Sequence, residues 1–152
     1  LPALRTGLLL MSLRCMESIM TDEPSRYDTI AYRDSRMRCA LCYDEGLSPY
    51  NPLEVHHIMG RFKGKNCDDH RNLLTCCRNC HTRYHSGGSF SLSLGHMLTA
   101  KREEDGDGGR DGLDIEFLAS LRNRKGLKED PLPLPEFILN ERQDNWGWWS
   151  QE

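Results

Sequence analysis

Residues 54–85 read EVHHIMGRFKGKNCDDHRNLLTCCRNCHTRYH, and these thirty-two positions hold five histidines and four cysteines. A hydrophobic core would not use them that way, since every buried imidazole needs a hydrogen-bond partner. The stretch must therefore contain residues that hold a fold together and residues that do chemistry. The cysteines sort first. Cys77-x2-Cys80 lies inside the stretch and a second pair, Cys39-x2-Cys42, lies upstream of it. Each pair can place two thiolates about 2.3 Å from one Zn2+, so together they make a four-cysteine structural site. The 34 residues between Cys42 and Cys77 exceed the spacing of a simple zinc ribbon, and the metal is expected to clamp the base of an inserted hairpin. Cys76 competes with Cys77, but the C-x2-C register with Cys80 favours Cys77. Cys15, Cys67 and Cys76 are then ordinary thiols.

The rest of the chain explains why a staple is useful. Only 38% of the 152 residues are apolar and the mean hydropathy is -0.67, which bounds a single small domain with appendages and a thin core. Binding metal through cysteines can supply much of the stability such a core lacks. Seven cysteines is an odd number for a disulfide framework, so a reducing, cytoplasmic compartment is expected. The run RTGLLLMSL at residues 5–13 is too short to span a bilayer and lacks a small-residue cleavage site, so neither a membrane span nor a secretion signal is expected. The net charge of -3 hides an uneven distribution. From Val55 to His85 six Lys or Arg face two Asp, a local +4, while Lys101 to Glu116 has three basic against seven acidic residues, a local -4. Local sign governs how one face meets a polyanion.

Residues 1–23 are expected to be a disordered extension, and 24–36, PSRYDTIAYRDSR, to contain a short helix leading into the first knuckle. EGLSPYNP is turn chemistry that delivers a strand at LEVHHI; a Gly-, Lys- and Arg-rich loop follows from Gly60 to Asp69, and a helix is expected from Arg78 to His85. GGSFSLSLG is read as a loop or short strand, 101–112 as a flexible acidic linker, and 113–126 as a second helix with Leu113, Phe117, Leu118 and Leu121 on one stripe. DPLPLPEF is expected to be extended, and the tail to 152 carries all three tryptophans. The cysteine- and histidine-bearing unit would then occupy 24–90, and a C-terminal helix with a Trp-rich tail 113–152.

His81 and His85 are four apart, so on a helix they share a face and can bind one ion. His56 and His57 are adjacent. In a strand they point to opposite faces, so one can complete a metal site while the other takes a proton from water as a general base. His85 is either the further ligand or a surface residue at a helix end. His70 and His96 are read as surface residues.

The order Cys39-x2-Cys42, Glu54-Val55-His56-His57-Ile58, Asn72-Leu73-Leu74, Cys77-x2-Cys80-His81 and His85 resembles the HNH endonucleases of phage and bacterial type, with Arg33-Asp34 matching an arginine-aspartate that often precedes the first knuckle. The resemblance spans about residues 33–85. It implies an α+β fold, a ββα-metal finger with flanking helices, stapled here by the four-cysteine zinc site. It also implies that His57 is the general base, that Asn72 braces the loop and orients that base, and that His81 ligates a catalytic divalent metal. His56 stands where many members have aspartate, also a metal ligand, and His85 matches a further ligand of histidine-rich members. The implied reaction is hydrolysis of a DNA phosphodiester with one divalent ion (Mn2+, Ni2+, Co2+ or Mg2+). Arg61, Lys63 and Lys65 would grip the phosphate backbone. The C-terminal segment is open to a protein partner such as phage packaging machinery. The alternative is a non-catalytic zinc-knuckle module that binds DNA or protein.

Overall fold

The computed structural model describes residues 31, 35–60, 66–106, 110–111, 113–121 and 127–146. The extension 1–23, most of the 24–36 helix with Arg33-Asp34, the basic-loop residues Arg61, Lys63 and Lys65, positions 122–126, and Trp148 and Trp149 all lie outside the described residues.

LEVHH forms the strand β1 (Leu53–His57), and LLTCC forms β2 (Leu73–Cys77). They pair antiparallel, with Leu53 opposite Cys77 and His57 opposite Leu73. All five positions of β2 are buried, which explains why LLTCC shows no polar alternation: this strand is packed on both faces. Helix α1 (Arg78–Ser86) leaves β2 without a linker, because Cys77 both ends the strand and caps the helix. Its Sγ accepts the Cys80 N–H at 3.5 Å. Two more of the helix's first donors find partners in the preceding turn. The Arg78 N–H donates to the Pro52 carbonyl (3.0 Å) and the Asn79 N–H to Asn51 Oδ1 (2.8 Å). The turn itself needs Gly46, which holds φ +69° and where a Cβ would lie 2.6 Å from Leu53 Cγ.

The first knuckle lies across this ββα unit. The Ala40 N–H donates to the Thr75 carbonyl of β2 at 2.9 Å, and the Tyr43 N–H closes back on the Cys39 carbonyl at 3.0 Å. The two CxxC pairs thus bracket the β1–β2 hairpin, as the long Cys42–Cys77 interval implied.

The second expected helix is present as α3 (Ile115–Leu121), with Leu118 buried and Leu113, Phe117 and Leu121 packed against the core. Two helices were not anticipated. Phe90, Leu92 and Leu94 recur at every second residue, which imitates a strand, yet α2 (Leu94–Glu103) begins at Ser93. His96 Nδ1 accepts the Ser93 N–H at 3.0 Å, so His96 is a half-buried helix-starting residue rather than a surface one. Gly95 in its first turn lets the extended DPLPLP segment cross: a Cβ there would meet Leu132 Cγ at 2.5 Å. The stretch 101–112, read as a charged linker, carries the last turn of α2 followed by a two-residue hairpin, β3 (Asp105–Gly106) with β4 (Arg110–Asp111).

The other unanticipated helix is α4 (Glu136–Trp146), which docks on the zinc-knuckle turn. Arg142 donates to the Ala40 carbonyl (3.0 Å) and also to that of Leu41, Asn145 Nδ2 donates to the Cys42 carbonyl (2.8 Å), and Arg83 pairs bidentately with Glu141 at 2.6 and 2.8 Å. One hydrophobic cluster joins Leu41, Ile58 and Leu74 of the ββα unit to Met97, Leu98, Leu118 and Ile138 of the later helices. Among the described residues no helix is long and apolar enough to cross a membrane.

Candidate metal centres and active site

The four cysteines of the two knuckles are buried and their sulfurs lie within 4.8 Å of one another. Cys42 Sγ and Cys77 Sγ are 3.6 Å apart. A tetrahedron with metal–sulfur bonds of about 2.3 Å has edges of about 3.8 Å, so the cluster fits zinc. The Cys42 N–H points at Cys39 Sγ and the Cys80 N–H at Cys77 Sγ, both at 3.5 Å, and such donors favour thiolate. Hydrogen bonds from Cys39, Cys42 and Cys80 converge on Cys77 and hold its thiol far below the ordinary range, while the same ring of bonds holds Cys80 above it. Cys67 and Cys76 are buried outside this cluster, and burial pushes the Cys76 thiol up.

A second cluster gathers His56, His81 and His85, each offering one nitrogen within 4.8 Å of the others. It follows from two periodicities. The fourfold spacing on α1 brings the His81 and His85 Nε2 atoms to 3.1 Å, and strand alternation turns His56 toward the helix, its ring 5.1 Å from that of His81. Two imidazole nitrogens about 2.1 Å from one ion at a near-right angle would be about 3 Å apart. His56 is 5% exposed and its Nε2 is buried with no hydrogen-bond partner. Burial, then the neighbouring His81, His85 and His57, lower its pKa to about 3, which keeps it in the neutral form that a metal ligand requires. A neutral, buried imidazole with one nitrogen unpartnered, packed beside two further imidazoles, fits a later first-row divalent ion.

His57 faces the other side of β1, where its Nε2 lies 2.8 Å from Asp68 Oδ1. A carboxylate only accepts, so this contact favours a proton on Nε2 and fixes the plane of the ring. Asn72 is fully buried and ties the strand end to the loop: its Oδ1 accepts the Met59 N–H at 2.9 Å and its Nδ2 donates to the Cys67 carbonyl at 2.8 Å. Asn72→Ala leaves the Met59 N–H and the Cys67 carbonyl without these partners in a buried site, so a loss of about 2 kcal/mol or more is expected in urea denaturation. A loss under about 0.5 kcal/mol would mean that the bonds contribute nothing net.

Two residues of the site carried no assigned role in the sequence. Glu54 lies on the His56 face of β1, Oε1 3.4 Å from His81 Nδ1 and Oε2 3.7 Å from Arg78 Nε. Period-two alternation within EVH was the available signal. Asp68 is eleven residues from His57 in a loop, and no spacing rule connects them.

Residues 39–87 match the family model of the HNH endonucleases. No curated protein and no solved structure matches the chain. The match runs from the first zinc-knuckle cysteine to just past the end of α1, and within it lie the two-stranded antiparallel sheet, the helix and both metal-fitting clusters. Over residues 39–87, then, the chain is similar to the HNH endonucleases, and that segment has a ββα architecture.

Proposed function

We propose that the chain is a metal-dependent endonuclease that hydrolyses DNA phosphodiester bonds. The observation that carries this reading is the three-histidine cluster on one side of β1, with a carboxylate-bound histidine on the other. His56, His81 and His85 would hold a divalent ion, which when bound supplies Lewis-acid stabilisation of the charge that builds on the scissile phosphate and the leaving 3' oxygen. His57 takes the proton of the attacking water. Asp68 keeps the His57 ring in one tautomer and stabilises the imidazolium that forms, the work an aspartate does for histidine in other hydrolases. Asn72 holds the loop from which Asp68 projects. Arg61, Lys63 and Lys65 supply phosphate contacts with little base discrimination. The cysteine cluster takes Zn2+ as a structural ion, and the C-terminal segment from 113 is the part available to a partner protein.

Plasmid nicking by the full chain with added divalent ions tests the reading. DNA binding without nicking under any ion would favour the non-catalytic module instead.

The ligand set also predicts which ion works best. Mg2+ prefers oxygen ligands, whereas imidazole suits later ions, so activity with Mn2+, Co2+ or Ni2+ should exceed that with Mg2+. His56→Asp should move the preference toward Mg2+ by restoring a carboxylate. Each ion is titrated into protein stripped only at its weaker site, with nicking as the readout. Equal support by Mg2+ and Mn2+ in the wild type, unchanged in the variant, would remove His56 from the metal site.

A further inference from the structure

Lys101 is 1% exposed, the bulkiest fully buried side chain among the described residues, and none of the site chemistry above uses it. An apolar residue of similar size would suit a stability role at least as well, because a buried charge loses its hydration. Its ammonium is instead fully committed. Nζ donates to the His70 carbonyl and the Leu73 carbonyl, both at 2.8 Å, and to Glu104 Oε2 at 3.2 Å. Three donors meet three acceptors. The two carbonyls flank Arg71 and Asn72: His70 opens the 3-10 turn His70–Asn72 and Leu73 is its C-cap, while the N-cap, Asp69, follows Asp68 directly. The same turn is held from another direction by Arg71, which reaches Asp114 Oδ2 at 3.2 Å and stacks 3.6 Å over the Phe117 ring. Both holds come from α2 and the start of α3, beyond the matched segment 39–87.

We propose that Lys101 is a positioning residue for cleavage: from α2 it clamps the 66–72 loop, so that Asn72 stays under β1 and Asp68 stays on His57. The proposal rests on the nuclease reading and extends the catalytic unit past the HNH segment. A misplacement of the base by about 1 Å is enough to cost on the order of 100-fold in rate.

The clamp is tested first without catalysis. Hydrogen exchange on the wild-type chain should show the Asn72 and Leu73 amides opening together with those of α2. Fast exchange of the loop amides against protected α2 amides overturns the clamp. The second arm replaces the buried pair as a unit, Lys101→Met with Glu104→Leu, which leaves no charge stranded but removes a donor from the His70 and Leu73 carbonyls, so zinc content should stay near wild type while melting temperature falls by a few degrees. Its kcat for nicking should fall roughly tenfold or more while KM stays within about twofold. If kcat is retained, Lys101 is packing only and the proposal fails. A wild type that fails to nick with every ion tried sinks the nuclease reading instead, and the exchange arm still decides whether Lys101 clamps the loop.

Discussion

His57→Ala is expected to lower plasmid nicking by about 100-fold or more while leaving zinc content and the circular dichroism spectrum unchanged, since a positioned general base contributes at least that much. The two effects separate because of where the residue sits. His57 ends β1 on the face opposite the His56–His81–His85 cluster, and its one side-chain partner identified above, Asp68, is half exposed. Removing the imidazole therefore strands no buried charge: the carboxylate returns to water. The backbone of His57 still pairs with Leu73, so β1 keeps its register. His57→Asn, which is unable to take a proton near neutral pH, should be as inactive as the alanine variant. Nicking within about tenfold of wild type in either would take His57 out of the mechanism.

Cys39→Ser and Cys80→Ser are expected to have the larger effect on folding. Each removes one of four sulfurs that sit within 4.8 Å of one another inside the core, and the free energy of binding a structural zinc is largely folding free energy, on the order of 10 kcal/mol for small zinc domains. That exceeds the whole stability of many single domains, about 5–15 kcal/mol. The loss should spread beyond the knuckles. Arg142 and Asn145 of α4 hold the Ala40, Leu41 and Cys42 carbonyls, so release of the first knuckle also frees the C-terminal helix. Soluble yield should collapse, and chelation of the wild type should shift tryptophan emission, because all three tryptophans fall at or beyond the end of α4. A well-folded variant without zinc would show the knuckles to be incidental.

Much of the site was legible before any coordinates. Both CxxC pairs, the choice of Cys77 over Cys76, the strand at LEVHH and the helix from Arg78 follow from short-range rules: two-residue knuckle spacing, strand alternation and the fourfold helical repeat. The same rules placed His56 and His57 on opposite faces and His81 beside His85. What was missed was also local in character. The loop alternative for GGSFSLSLG holds through Ser93, but Leu94 opens α2, because the Ser93–His96 cap and packing against the 130–132 segment outweigh a weak strand pattern. Likewise KREED reads as solvated charge, and only the fold shows that Lys101 and Glu104 are buried while Arg102 and Glu103 face water.

The sequence by itself marked the candidate ligand pairs and the elements of the ββα unit, because Cys39 with Cys42, Cys77 with Cys80 and His81 with His85 are each set by spacing within one short segment. Tertiary structure alone decided how the base and its loop are held. The contacts of Asp68 with His57, Lys101 with the His70 and Leu73 carbonyls, and Arg71 with Asp114 join residues 11 to 43 positions apart, and nothing in their local spacing marks them. Such partners are selected by which surfaces the core brings together. Leu98, Leu118 and Ile138 enter the same hydrophobic cluster as Ile58 and Leu74, and that packing carries α2 and α3 against the 66–72 loop.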